Sequence, residues 1–84
     1  MRPKFSDHAW ADYLYWFETD RKQVKRINAL IEDIRRHPFE GLGKPEALKH
    51  QLSGFWSRRI DSTHRLVYAV EGEDILIAQC RDHY

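Results

Sequence analysis

The sequence of 84 residues predicts an α+β fold, with an N-terminal helical hairpin packed on one face of a small, twisted antiparallel sheet. Two observations support this prediction. Apolar residues recur with helical spacing in the first half of the chain, and after Gly54 the period changes to the alternation of strands. No linker, repeat or low-complexity tract interrupts the pattern. We therefore expect residues 1–84 to form a single domain.

The first elements are a short strand and a helix. Lys4-Phe5 should close the strand, with Pro3 at its start, and Ser6 is the expected N-cap of the helix. Its predicted buried stripe has i, i+3, i+4, i+7 spacing and consists of Trp10, Tyr13, Leu14 and Phe17. The tryptophans are all expected in the core: Trp10, Trp16 and Trp56.

A second helix should follow directly. Asp20 and Gln23 resemble a capping box at its start, and Pro38 should stop it after His37. The predicted buried face consists of Val24, Ile27, Leu30, Ile31 and Ile34. Two amphipathic helices joined this tightly are expected to form a hairpin.

Glycine and proline punctuate residues 38–47, which should form a loop. Three strands are predicted beyond it, at residues 55–60, 65–70 and 75–84. Alternation gives the sheet an apolar face that includes Trp56 and Ile60. The opposite face is expected to be concave and charged, with Arg59, Arg65, Arg81 and His83.

Composition and charge narrow the class of protein. The single cysteine, Cys80, fits a reducing cytoplasm, and neither a signal peptide nor a membrane helix is visible. The net charge is only +1, but residues 21–65 carry eleven basic and five acidic side chains. This cluster suits a protein that grips a phosphate backbone. A solvated helix face with ordinary strand-surface arginines explains it equally well.

Three side chains have the chemistry for RNA cleavage without a metal. Such cleavage needs a base for the 2′-hydroxyl, an acid for the leaving 5′-oxygen and a cation for the phosphorane. Glu46 is the candidate base, His83 the candidate acid and Arg65 the candidate phosphate clamp. The corresponding alternatives are a solvated loop carboxylate, a frayed terminal histidine and an arginine paired with nearby acids.

Further side chains are candidates for holding RNA. Phe55 and Tyr84 could stack on bases, although edge packing is an alternative for Phe55. The complete set of RNA-binding candidates is Lys49, His50, Phe55, Arg59 and Arg81, and Tyr84 is grouped with the catalytic residues. The histidines lack metal-ligand spacing, so we expect neither a metal nor a cofactor.

Four stretches resemble the YoeB branch of the RelE-type toxins, and the similarity extends over nearly the whole chain. They are Pro38–Glu46, Leu52–Ile60, His64–Tyr68 and Cys80–Tyr84. The resemblance implies the α+β fold and cleavage of mRNA in the ribosomal A site. The implied products are a 2′,3′-cyclic phosphate or 3′-phosphate and a 5′-hydroxyl. It also implies inhibition by a YefM-type antitoxin whose disordered tail folds over the toxin, and a homodimer is compatible with it.

By position, the resemblance makes Glu46 the general base, His83 the general acid and Arg65 the phosphate stabiliser. It places Lys49, Arg59 and Tyr84 in supporting positions of the active site. Two alternatives remain. One is a ParE-like toxin, which shares the fold but binds DNA gyrase, and the other is a ribonuclease that needs no ribosome.

Overall fold

The computed structural model describes residues 1–83, which form two helices packed on a five-stranded mixed sheet. The elements are β1 (Arg2–Phe5), α1 (Asp7–Thr19), α2 (Arg21–Arg36), β2 (Glu46–Ala47), β3 (Trp56–Arg59), β4 (Arg65–Glu71) and β5 (Asp74–Gln79). A short 3₁₀ turn spans His50–Leu52. The strand order is β1-β5-β4-β3-β2. The α+β prediction is confirmed, and within the described residues neither helix is long and apolar enough to cross a membrane.

The prediction of an antiparallel sheet was wrong at one edge, because β1 runs parallel to β5. Arg2 lies opposite Asp74, and the Asp74 carboxylate contacts Arg2 Nε at 3.3 Å and Lys4 Nζ at 3.0 Å. Parallel strands need a long crossover, and here α1 to β4 provide it. Local sequence patterns carry no information on a partner so far along the chain.

Helix α1 buries a different stripe from the predicted one. Its buried residues are Ala9, Asp12 and Trp16, whereas Trp10, Leu14 and Phe17 keep 49%, 43% and 43% of their surface exposed. Two polar contacts fix this orientation. The Cys80 N–H donates to Asp12 Oδ2 at 3.1 Å, and Trp16 Nε1 donates to the Cys80 carbonyl at 2.8 Å. An apolar stripe could not reveal a helix face that carries a buried aspartate.

The observed helix boundaries agree better with those predicted from the sequence. Ser6 caps α1 by accepting the Ala9 N–H at 3.0 Å, and all five residues predicted for the buried face of α2 are buried. Asp20 also caps α2, but the predicted capping box is wrong, because the Gln23 side chain does not bond back to Asp20. The Gln23 amide donates to Asp61 Oδ2 at 2.7 Å and so ties α2 to the turn before β4.

The second half of the chain departs from the prediction in two places. The predicted loop at 38–47 contains β2, so Glu46 lies in a short strand. The last strand ends at Gln79, five residues earlier than expected, and its pairing with β4 shifts register between Val67 and Tyr68. Alternation therefore does not extend to Arg81 and His83, and their predicted shared strand face is wrong.

A buried arginine organises the loop that leads to β2. Arg58 is fully buried and faces inward, as alternation with Trp56 and Ile60 requires. Its Nη1 donates to Asp33 Oδ2 at 2.5 Å, and its Nε donates to the Tyr68 hydroxyl at 3.1 Å. Its guanidinium also donates to three carbonyls of the loop, those of His37, Glu40 and Leu42. One guanidinium thus binds Asp33 and three carbonyl oxygens between His37 and Leu42.

Acid should weaken the domain through Asp33. The Leu42 N–H and the Arg58 guanidinium lower the pKa of Asp33 below its usual value near 3.8. A lowered pKa stabilises the fold at neutral pH, and this stability is lost as the pH falls below about 4. We expect Asp33→Asn to be less stable at neutral pH, and to lose less further stability between neutral pH and about pH 2. Urea unfolding at several pH values in this range measures how the free energy of unfolding depends on pH in the unchanged protein and in Asp33→Asn. The same pH dependence in both would contradict the expectation.

Candidate active site

The sheet face opposite the helices brings two of the candidate catalytic residues together. Glu46 in β2 lies opposite Ser57 in β3, and Arg59 in β3 lies opposite Arg65 in β4. Directly paired antiparallel residues point to the same side, and Ser57 and Arg59 share a face by alternation. From strand spacing and rise, the Cα atoms of Glu46 and Arg65 are roughly 12 Å apart. Side chains as long as these can reach into the space between.

Close packing against β3 sets the position of Glu46. The Gly43 carbonyl accepts the Arg59 N–H at 2.7 Å, and Gly43 has a φ of +79°. A Cβ on Gly43 would lie 2.9 Å from Leu30 Cδ2 and 3.0 Å from the Arg59 carbonyl oxygen, so only glycine permits this approach. The turn before Glu46 is therefore seated directly on the core.

Arg65 is buried and bonded to the backbone beside it. It is only 9% exposed, and its Nη1 donates to the carbonyls of Asp61 and His64 at 3.0 and 3.2 Å. The Asp61 carboxylate instead accepts the N–H groups of Thr63 and His64. Burial opposes ionisation of Asp61, but these hydrogen bonds outweigh it and lower its pKa. Arg65 is thus held by backbone carbonyls at the start of β4.

His83 follows a residue that is bonded directly to the start of β4. The Arg65 N–H donates to the Asp82 carbonyl at 3.0 Å, and the Asp82 N–H donates to His64 Nδ1 at 2.7 Å. Asp82 has a φ of +65°, in the left-handed region that non-glycine residues rarely adopt. This turn leaves His83 exposed, one residue beyond the partner of Arg65. Tyr84 lies outside the described residues.

The other RNA-binding candidates are dispersed. Lys49 and His50 are exposed on the connection from β2 to β3, which the Leu48 N–H closes by donating to the Phe55 carbonyl at 2.9 Å. Phe55 is half-buried and lines a shallow apolar cleft beside Leu76 and Ala78.

Arg59 and Arg81 point in different directions. Arg59 is exposed on the sheet face that carries Glu46 and Arg65. The Arg81 guanidinium lies 3.6 Å from the ring centroid of Tyr15 and is therefore turned toward α1.

The described residues provide no obvious metal site or reactive thiol. Among residues 1–83, no group of three histidine, cysteine, aspartate or glutamate side chains could hold a metal ion. Cys80 is fully buried, and burial together with the nearby Asp12 carboxylate raises its pKa to about 12. A thiol in this state is a poor nucleophile.

Sequence reasoning missed two residues that organise the site. Arg58 was counted with the surface charge, although its alternation with Trp56 and Ile60 already placed it on the inward face. His64 received no role, because its partner at Asp82 is distant in sequence and lies outside any regular strand. The first residue had a local signal and the second had none.

A family model describing YoeB-like toxins of bacterial type II toxin–antitoxin systems matches residues 5–84. Among curated proteins, the toxin YoeB of Escherichia coli K12 is 64% identical over 84 residues, which cover all of both chains. This similarity includes the whole of the candidate site.

Three solved structures that are named YoeB or YoeB/ParE toxins superpose on the whole of this chain. A YoeB/ParE toxin from Agrobacterium tumefaciens superposes with a TM-score of 0.97 at 46% identity, covering all of both chains. The toxin in a heterotetrameric YoeB–YefM complex from Staphylococcus aureus has a TM-score of 0.93 at 48% identity, covering 100% of this chain and 98% of its own. The Staphylococcus aureus toxin has also been solved as a YoeB dimer, with a TM-score of 0.94, the same identity and the same coverage.

Proposed function

Because the chain belongs to the YoeB-like toxins of bacterial type II toxin–antitoxin systems, we propose that it is a ribosome-dependent endoribonuclease that cleaves mRNA in the A site. The observation that carries the proposal is the arrangement of Glu46, Arg65 and His83. Glu46 and Arg65 share the sheet face away from the helices, and Asp82 ties the segment bearing His83 to Arg65 itself. A carboxylate and a guanidinium thus share one side of the sheet, and the segment that carries the imidazole is bonded to the strand that carries the guanidinium.

The proposed mechanism is general acid–base catalysis. The Glu46 carboxylate takes the proton from the 2′-hydroxyl, and the freed oxygen attacks the adjacent phosphorus. The Arg65 guanidinium stabilises the negative charge on the phosphorane. The protonated imidazole of His83 gives its proton to the leaving 5′-oxygen. The products are a 2′,3′-cyclic phosphate, which water can open to a 3′-phosphate, and a 5′-hydroxyl.

Four of the proposed binding residues lie on β3 or on the connection that leads to it from β2. Arg59 lies directly opposite Arg65 and is exposed, so it can add a second cation for the phosphate backbone. On the connection from β2 to β3, Lys49 adds another cation and His50 a hydrogen-bonding ring. Phe55 offers an aromatic surface for a base. The stack of Arg81 on Tyr15 suits it less for contact with RNA at this face.

We further propose a YefM-type antitoxin as the inhibitory partner. The Staphylococcus aureus relative forms a heterotetramer with YefM. In this chain, α1 leaves Trp10, Leu14 and Phe17 largely exposed, and residues 21–65 carry the excess of basic side chains. An antitoxin segment with apolar and acidic residues could cover both features and block access to Glu46.

Primer extension on a defined mRNA tests the proposal, with purified ribosomes present or absent. We expect cleavage inside codons only when ribosomes are present, with 5′-hydroxyl ends. Cleavage of free mRNA at the same rate would favour the ribosome-independent ribonuclease. Intact mRNA combined with inhibition of DNA supercoiling by gyrase would overturn the proposal in favour of a ParE-like toxin.

A further inference from the structure

One side chain holds the segment that carries His83. The Nδ1 of His64 accepts the backbone N–H of Asp82 at 2.7 Å. The carbonyl of the same aspartate accepts the N–H of Arg65 at 3.0 Å. Two consecutive residues of the chain therefore grip both main-chain polar groups of Asp82, and we call this arrangement the Asp82 clamp.

The imidazole in the clamp is itself rigidly placed. Its side chain is only 20% exposed, and its ring packs edge-on against Trp16 with the centroids 4.8 Å apart. Trp16 Nε1 donates to the Cys80 carbonyl at 2.8 Å, two residues before Asp82. The backbone N–H of His64 donates to Asp61 Oδ1 at 2.7 Å. The His64 ring, which accepts the Asp82 N–H, is thus held by Trp16 on the core side and by Asp61 in the turn.

We propose that His64 is a positioning residue, which fixes the backbone from which His83 presents its ring by accepting the Asp82 N–H. The catalytic consequence rests on the proposed function, whereas the clamp itself is a feature of the fold. Asp82 needs such support, because its φ of +65° is one that residues with a side chain rarely adopt. Without the His64 bond, the Asp82 N–H would lose this acceptor, and the carbonyl of Asp82 would remain bonded to the Arg65 N–H.

The clamp requires a neutral imidazole. A nitrogen that accepts a hydrogen bond carries no proton, so the ring hydrogen of His64 must lie on Nε2. Protonation would place a hydrogen on Nδ1 and turn the contact into two opposed donors. The charged groups around the ring are Asp82, whose Oδ1 is 3.9 Å from Nδ1, Asp61 in the turn and Arg65 beside it, while α1 presents Trp16. The hydrogen bond thus fixes which tautomer of His64 holds the segment that bears His83.

Two substitutions of matched shape separate the hydrogen bond from packing. Asparagine keeps an acceptor at the δ position and cannot be protonated near neutral pH, whereas leucine has nearly the same shape and no acceptor. His64→Asn and His64→Leu both lose the ring contact with Trp16, so that loss is common to the pair. The measurements are kcat and KM on ribosome-bound mRNA, melting temperature, and hydrogen exchange of the Asp82 amide.

We expect His64→Asn to keep kcat within a few-fold of the unchanged protein and His64→Leu to lose about tenfold or more. KM should change little in both, because the acid acts only in the transition state. Equal kcat values in the two variants would overturn the proposal.

Hydrogen exchange separates a failure of the clamp from a failure of the proposed function. If the unchanged protein does not cleave mRNA, the proposed function fails. The exchange rate of the Asp82 amide still tests whether the clamp exists. Faster exchange in His64→Leu than in His64→Asn supports the clamp, and equal rates overturn it. If His64→Leu does not fold, the ring nitrogens of the unchanged protein decide by NMR. A hydrogen on Nε2 supports the clamp, and a hydrogen on Nδ1 overturns it.

Discussion

Replacing Glu46 with glutamine should slow mRNA cleavage by about 10²–10⁴-fold, the range typical for loss of a general base. Glutamine has the shape of glutamate but cannot take the proton of the 2′-hydroxyl. Glu46 is exposed, so the substitution should leave the melting temperature within a few degrees. Single-turnover cleavage of mRNA on purified ribosomes measures the rate. Binding to ribosomes should be retained, because the loss is in chemistry.

A matched control distinguishes catalysis from a general effect of charge. Glu73→Gln makes the same change at an exposed carboxylate in the β4–β5 turn, at the end of β4 far from Arg65, and should cleave normally. His83→Gln should show a loss similar to that of Glu46→Gln, since it removes the proposed acid. A Glu46→Gln variant that cleaves within a few-fold of the unchanged protein would exclude Glu46 as the base.

Replacing Arg58 with methionine should lower the free energy of unfolding by roughly 3 kcal/mol. The change leaves Asp33 without the Arg58 cation and removes the guanidinium donors from the carbonyls of His37, Glu40 and Leu42. We place the effect at the low end for buried pairs because 19% of the Asp33 side chain is exposed. This loss is large, because the total free energy of unfolding of a small domain is only about 5–15 kcal/mol. Urea unfolding at neutral pH measures the loss.

The neighbouring arginine supplies the control. Arg59→Met removes an exposed guanidinium from the next residue and should change stability by no more than about 0.5 kcal/mol. Combining Arg58→Met with Asp33→Asn should restore part of the loss, because the unpaired charge disappears while the amide oxygen can still accept the Leu42 N–H. Equal stabilities for Arg58→Met and Arg59→Met would show that the buried network contributes little.

The elements that sequence patterns predicted well are those decided by local chemistry. Ser6 and Asp20 cap helices, and the apolar spacing of α2 gave its buried face in full. The order of hairpins from β3 to β5 followed from alternation and turns. The family resemblance added candidate roles for Glu46, Arg65 and His83, and these roles remain predictions.

The errors share a different physical origin, since each depends on contacts between distant segments. Strand β1 finds its partner only in β5, and α1 turns a buried aspartate toward Cys80. Strand β5 ends at Gln79, because the main-chain groups of Cys80 bond to Asp12 and Trp16 of α1 instead of to a neighbouring strand. Spacing along the chain cannot report such pairs, because neither partner has a local pattern that identifies the other.

The parallel pairing of β1 with β5 also dictates the order in which a nascent chain can complete this domain. During synthesis β1, α1 and α2 leave the ribosome first, but the apolar face of α2 has no complete sheet to cover it until β4 and β5 follow. Pairings between such remote segments are intrinsically slow to form. The Asp82 clamp closes later still, because Asp82 itself follows β5. With the proposed activity, the growing polypeptide stays harmless to the ribosome that makes it until nearly all of the domain has emerged.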